Sequence, residues 1–101
     1  MREVVWSDNA LDDLDALADF IAADNPTAAL DVLDRIDRTV ENLSQMPTGR
    51  RGRVNGTYEK PFTGLPYIIA YALEPRPQRE RLVILLVIHG ARNWPEGEWP
   101  E

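Results

Sequence analysis

The seven residues Leu82–Ile88 (LVILLVI) are all apolar, and this run constrains the fold more than any other segment of the chain. A strand that is apolar at every position is typically covered by the rest of the protein on both faces. We therefore expect Leu82–Ile88 to form a central strand of a sheet. The run is much shorter than the ~20 residues that a bilayer-spanning helix needs, so no membrane partner is expected.

Two amphipathic helices are predicted in the first half of the chain, on either side of Asn25-Pro26. Ser7 and Asn25 are suited to cap the helix starts, and Pro26 fits a first helical position, where its missing N–H is not needed. Met46-Pro47 ends the second helix, and the short connection predicts an antiparallel helical hairpin. Apolar residues recur at helical spacing at Leu11, Leu14, Leu17, Ala18 and Ile21, and again at Ala29, Val32, Leu33, Ile36, Val40 and Leu43.

Short strands are predicted before and after this hairpin. Val4-Val5-Trp6 precedes it, and Tyr58-Glu59-Lys60 and Tyr67–Leu73 follow it, separated by turn signals. The order β-α-α-β-β-β predicts an α+β fold: an N-terminal strand, a two-helix antiparallel hairpin and a three-stranded antiparallel meander, in one domain over residues 1–101. The N-terminal strand joins the same sheet, and the pattern leaves open on which side.

Composition excludes several kinds of functional site. The 101 residues include no cysteine and a single histidine, His89, which excludes a disulfide framework, a thiol nucleophile and a multi-histidine metal site. We expect no metal and no cofactor, and a cytoplasmic location. Residues 1–49 carry 11 acidic and 3 basic side chains, whereas residues 50–101 carry 6 and 8. This balance disfavours non-specific nucleic-acid binding, which depends on many Lys and Arg contacts to phosphate.

Four parts of the chain form a pattern by their order and spacing. They are Val5-Trp6-Ser7 with Leu11–Leu14; Ile21–Pro26 with Ala28-Ala29; Leu43, Pro47 and Gly49–Val54 with Gly56–Glu59; and Pro66–Tyr71 with Ile84–Arg92 and Trp94-Pro95. Together they resemble the RelE/ParE family of toxins from bacterial type II toxin–antitoxin systems. The resemblance implies a toxin that is neutralised by a cognate antitoxin in a hetero-oligomer, with growth arrest and plasmid stability as its biological effects.

The family contains toxins with two kinds of target. RelE-like members resemble ribonucleases that cut mRNA on the ribosome, whereas ParE-like members act on DNA gyrase. Ile68 stands where the resemblance to the ribonucleases implies an arginine, and an acidic chain would be repelled by ribosomal RNA. The favoured interpretation is therefore a ParE-like gyrase inhibitor that is not itself an enzyme. The alternatives are a RelE-like endoribonuclease and a degenerate member that only binds its antitoxin.

The candidate functional residues differ between these interpretations. As a ribonuclease, the chain would use Arg53, His89 and Arg92 to neutralise the phosphate and transfer protons. As a gyrase inhibitor it needs no catalytic residue, and His89 is then a strand-end histidine bonded to backbone. Arginine side chains pair well with carboxylates, so an acidic antitoxin segment is the partner that the basic cluster suits. The predicted partner-binding residues are Arg50, Arg51, Arg53, Arg92 and Trp94.

Overall fold

A computed structural model of the chain describes residues 2–52, 54–62 and 65–89, with His89 described by its backbone alone. The helical hairpin packs on one face of a sheet with the strand order β1-β5-β4-β3-β2. The predicted α+β architecture is confirmed. The elements are β1 (Glu3–Trp6), α1 (Asp8–Asp24), α2 (Pro26–Gln45), β2 (Arg50–Arg51), β3 (Tyr58–Pro61), β4 (Tyr67–Glu74) and β5 (Arg81–His89).

The predicted central strand is β5, which lies between β1 and β4. β1 pairs with it in parallel, from Glu3 opposite Arg81 to Trp6 opposite Ile84. β4 pairs with it antiparallel along its whole length, and β3 pairs antiparallel with β4. The N-terminal strand is therefore placed beside the last strand, which the sequence left open. None of the described helices is long and apolar enough to cross a membrane.

The two helix starts are capped as predicted. The Ala10 N–H donates to Ser7 Oγ, and the Ala28 N–H donates to Asn25 Oδ1, each at a nitrogen–oxygen distance of 3.1 Å. The predicted apolar stripe of α1 is wrong at its first residue, since Leu11 is 45% exposed and Ala10 is fully buried. The stripe begins one residue earlier because the start of α1 is tied directly to β5.

β1 pairs with β5 only as far as Ile84. Beyond that residue, side chains of α1 and its N-cap form hydrogen bonds with the backbone of β5 on the same edge. Ser7 Oγ donates to the Leu85 carbonyl oxygen over 3.0 Å. The Val87 N–H donates to Asp13 Oδ2, also over 3.0 Å. Backbone groups left unpaired at a strand edge invite association with other chains, so Ser7 and Asp13 satisfy part of an edge that would otherwise be open.

The apolar residues form two clusters, one on each face of the sheet. The larger lies under the helices and includes Ile36, Leu43, Tyr71 and Ile84. A bulge divides the pattern of β5: Ile84 pairs with Tyr71 and Leu86 with Ala70, so Leu85 has no partner in β4. The second cluster lies on the face away from the helices and consists of Ile68, Ala70, Leu86 and Ile88, with Leu85 packed against it.

The segment from Thr48 to Asn55, for which the sequence predicts no strand, contains the additional strand β2. Arg50 pairs with Glu59, and Arg51 pairs with Tyr58. Two residues are too few to show a strand periodicity in the sequence. The strand exists because β3 offers it a backbone edge, so the meander has a fourth, short strand at its end.

Candidate functional site

The predicted arginine cluster begins at β2, the edge strand of the sheet. Arg50 and Arg51 are both exposed, and the Arg50 side chain is 61% exposed. Among the described residues, no further strand pairs with the outer side of β2. Two guanidinium groups and an open backbone edge are therefore presented together at one end of the sheet.

Glu59 is a buried carboxylate, and its described ion-pair partner is Arg50. It is 3% exposed, and its Oε1 lies 3.6 Å from Arg50 Nη2. Strand pairing places Arg50, Glu59, Ala70 and Leu86 in one row across the face that the helices leave uncovered. A buried carboxylate destabilises the fold unless it is paired, so the pair holds Arg50 on this face, next to the apolar cluster.

Tyr71 holds the start of β2 from the other side of the sheet. The Gly49 N–H donates to the Tyr71 hydroxyl over 2.9 Å, and the buried Tyr71 ring stacks on Tyr58 with centroids 5.5 Å apart. Burial raises the pKa of the Tyr71 phenol, and the Gly49 hydrogen bond partly opposes this shift. A Cβ on Gly49 would lie 2.6 Å from the Tyr71 oxygen and 3.0 Å from the Glu59 carbonyl oxygen. Glycine is therefore required where the chain enters the arginine strand.

Three of the five predicted partner contacts lie outside the described residues, and two of these three are also predicted nuclease residues. Arg53, Arg92 and Trp94 lie outside the described residues, and for His89 only the backbone pairing with Tyr67 is described. Arg50 is aligned through Glu59 with Ala70 of β4, whereas His89 is aligned with Tyr67, three residues away on the same strand. By strand geometry the Arg50 and His89 backbones are separated by roughly 10 Å along the strands and roughly 14 Å across them. Arg50 and His89 are not neighbours.

Ile68 is part of the apolar cluster. It is 8% exposed and pairs with Pro61 on one side and Ile88 on the other. The position at which the family's ribonucleases are expected to carry an arginine is thus occupied by a buried aliphatic side chain, with the buried Ile88 beside it. At this position the sheet offers no cation to a phosphate.

Sequence reasoning missed an exposed apolar surface on the helical hairpin. Phe20 is 76% exposed on α1, and Leu30 is 70% exposed on α2. They are equally distant from Asn25 along the chain, so they lie at the same level of the antiparallel hairpin. The sequence does contain a sign of this exposure, since both residues fall outside the predicted apolar stripes of their helices. Large exposed apolar residues are candidates for contacts with a partner.

Comparison with known proteins gives a consistent family match. Residues 4–94 match the family model described as the ParE toxin of the type II toxin-antitoxin system parDE. The chain is 34% identical over 96 residues to "Putative toxin Y4kP" of Sinorhizobium fredii, which covers 94% of this chain and 95% of that protein. It is 35% identical over 72 residues to Toxin RelE2 of Caulobacter vibrioides, which covers 70% of this chain and 80% of that protein.

Two solved structures share the fold. A chain of the chromosomal ParDE TA system from P. aeruginosa aligns with a TM-score of 0.76 and 24% identity, over 88% of this chain and 96% of that one. The YoeB/ParE toxin from Agrobacterium tumefaciens aligns with a TM-score of 0.60 and 15% identity, over 86% and 97%. At these identities the likeness establishes the architecture and leaves the target to be argued from the site.

Proposed function

This chain belongs to the RelE/ParE family of type II toxins, and we propose that it is a ParE-like toxin that inhibits DNA gyrase without catalysing a reaction itself. The family implies a cognate antitoxin as its partner. The observation that supports this choice of target is the buried apolar cluster around Ile68, on the sheet face away from the helices.

Cleavage of RNA requires a group that removes the 2′-hydroxyl proton, a cation beside the phosphate and an acid for the leaving oxygen. Ile68, Ala70, Leu86 and Ile88 occupy the centre of this face, and all four are buried. The described charges on this face form ion pairs away from its centre, Arg50 with Glu59 at one edge and Arg81 with Glu3 and Glu74 at the other end of the strands. The centre of this face therefore offers no described acid, base or cation to a phosphate, which counts against RNA cleavage and supports gyrase as the target.

The purified protein is expected to inhibit gyrase on supercoiled plasmid and to leave mRNA intact on programmed ribosomes. His89→Gln keeps a side chain of similar size that can still form hydrogen bonds, so a protein that acts by binding should retain most of its activity. A ribonuclease that uses His89 as its acid or base should lose ~10²–10⁴-fold in rate. The two assays should be run side by side, with the wild type and His89→Gln at equal concentrations.

Cut mRNA that disappears with His89→Gln, together with unaffected gyrase, would establish the ribonuclease instead. Inactivity in both assays, from a protein that still binds its antitoxin, would indicate a degenerate member. Both outcomes contradict the gyrase proposal.

The proposed antitoxin contacts are of two kinds. Phe20 and Leu30 supply an exposed apolar surface on the hairpin, and Arg50 and Arg51 supply positive charge at the sheet edge. Arg53, Arg92 and Trp94 complete the proposed partner-binding set. Buried apolar contacts generally dominate the affinity of an interface, whereas charges at its rim mainly change the association rate and its salt dependence.

Phe20→Ala should weaken antitoxin binding at least roughly tenfold, as expected for an aromatic side chain in an interface.

Arg51→Gln should mainly slow association and reduce its salt dependence, because it removes a charge and leaves the Arg50–Glu59 pair in place. Arg76→Gln is the matched control: it removes the same charge from an exposed arginine that pairs with Glu74. Binding kinetics at rising salt measure these effects. If Arg51→Gln and Arg76→Gln behave alike, β2 is not in the interface.

A further inference from the structure

A cavity of about 410 Å³ lies between the C-terminal half of α2 and β3, apart from the surfaces described above. Arg35 and Arg38 approach it from α2, and Lys60 approaches it from β3. Lys60 pairs with Ile69, which belongs to the cluster under the helices, so the cavity opens on the helical side of the sheet. Arg50 and Glu59 lie on the opposite face.

The cavity is positively charged, although the chain as a whole carries 17 acidic and 11 basic residues. None of the described residues that line it is acidic. Lys60 Nζ donates to the neutral Thr48 hydroxyl over 3.0 Å and has no carboxylate partner among the described residues. Arg38 pairs with Asp34 over 3.0 Å, but both side chains are largely exposed. Exposed ion pairs contribute little free energy, so a bound carboxylate can replace Asp34.

The remaining wall of the cavity includes apolar side chains. Leu43 and Phe62 border it with 1% and 8% exposure, and the neighbouring Pro61 is exposed. The lining therefore combines polar and charged groups with a small apolar part, as in sites that take a side chain of a partner. A partner's apolar side chain beside Pro61 and Phe62 would leave its neighbouring carboxylates within reach of Arg38 and Lys60.

We propose that this cavity binds an acidic segment of a protein partner, with an apolar side chain beside Pro61 and Phe62 and flanking carboxylates at Arg38 and Lys60. A guanidinium group matches a carboxylate with two parallel hydrogen bonds. A nucleic acid fits less well, because the rest of the chain is acidic and an apolar wall gains nothing from phosphate. The inference does not depend on gyrase being the target, since it concerns a different face of the protein.

The test is a titration of the ¹⁵N-labelled full chain, followed by NMR, with the acetylated and amidated tetrapeptide Glu-Leu-Phe-Glu. Chemical-shift changes are expected at the backbone amides of Arg38, Leu43, Lys60 and Phe62. The neutral counterpart Gln-Leu-Phe-Gln should bind roughly tenfold more weakly, which is the scale of one charge-assisted hydrogen bond. The probe needs no prior identification of the natural partner.

Lys60→Gln and Arg38→Gln should each lower the affinity for the acidic peptide about three- to tenfold and leave the affinity for the neutral peptide unchanged. Arg76→Gln carries the same change in net charge away from the cavity and should bind like the wild type. The proposal is overturned if the neutral peptide binds equally well, if all three variants behave alike, or if no shift appears at millimolar peptide. It is also overturned if a thymidine oligonucleotide shifts the cavity amides at lower concentration than the peptide. Since gyrase inhibition is measured separately, failure here is distinguishable from failure of the proposed target.

Discussion

Leu86→Ala is expected to lower the free energy of unfolding by about 2–5 kcal/mol. Leu86 is 3% exposed and packs with Ile68, Ala70 and Ile88 on the face of the sheet that carries no helix. Removing most of its side chain would leave a cavity between strands that are held at fixed spacing by their hydrogen bonds, so the site cannot collapse fully. Chemical unfolding in urea, followed by circular dichroism, measures the loss.

Leu85→Ala is the matched control, since the same side chain is shortened one position away. Leu85 is the bulged residue of β5, without a partner in β4, and is only partly buried. We expect a loss of about 1 kcal/mol there, in proportion to its smaller apolar burial. Equal losses at Leu85 and Leu86 would contradict the position of the bulge, and losses below about 0.5 kcal/mol at both would contradict the central place of β5.

Tyr71→Ala is expected to lower the free energy of unfolding by about 3–5 kcal/mol, the range found for buried aromatic residues. Tyr71 is fully buried, stacks on Tyr58 and accepts a hydrogen bond from the Gly49 N–H. It therefore connects the core under the helices to the start of the arginine strand. The same urea titration measures the effect, and a loss near 1 kcal/mol would contradict this connecting role.

Tyr71→Phe removes the hydroxyl group and keeps the ring, so it measures the contribution of the hydroxyl alone. The free energy of unfolding should fall by only about 1 kcal/mol at neutral pH. It also tests the pKa of Tyr71, which burial raises above its usual value. A phenol whose pKa is higher in the folded chain ionises first in the unfolded chain. That contribution to stability is present below about pH 10 and is lost as the pH rises through the folded pKa. The loss of stability above about pH 10 should therefore be smaller in Tyr71→Phe than in the wild type.

The glycines and arginines of the β2 segment act as one structural unit. Gly49 allows the chain to pass directly over Tyr71, and the buried Glu59 carboxylate pairs with the arginine that follows. In the sequence these features are a short run rich in glycine and arginine, which also describes a solvated loop. The difference is made by β3 and β4, which bring Glu59 and Tyr71 to this run from later in the chain.

The elements that sequence alone determined are those whose signals are local. Ser7 and Asn25-Pro26 set the helix starts through bonds within one turn, and the apolar spacing of α2 fixed which side faces the sheet. The apolar run of β5 required a central strand, because only such a strand covers every one of its residues. These features depend on neighbours a few positions away, so they are readable without the fold.

Tertiary structure decided whatever depends on residues far apart in the chain. Asp13, one of several aspartates on α1, meets the Val87 N–H across more than half of the sequence. The cations of α2 and Lys60 of β3 line one cavity because the hairpin packs on the sheet. Phe20 is exposed because no described element covers it. Charge and hydropathy in a sequence state what a side chain prefers to contact. The packing of the helices on the sheet decides which contacts are met within the chain and which remain open to a partner.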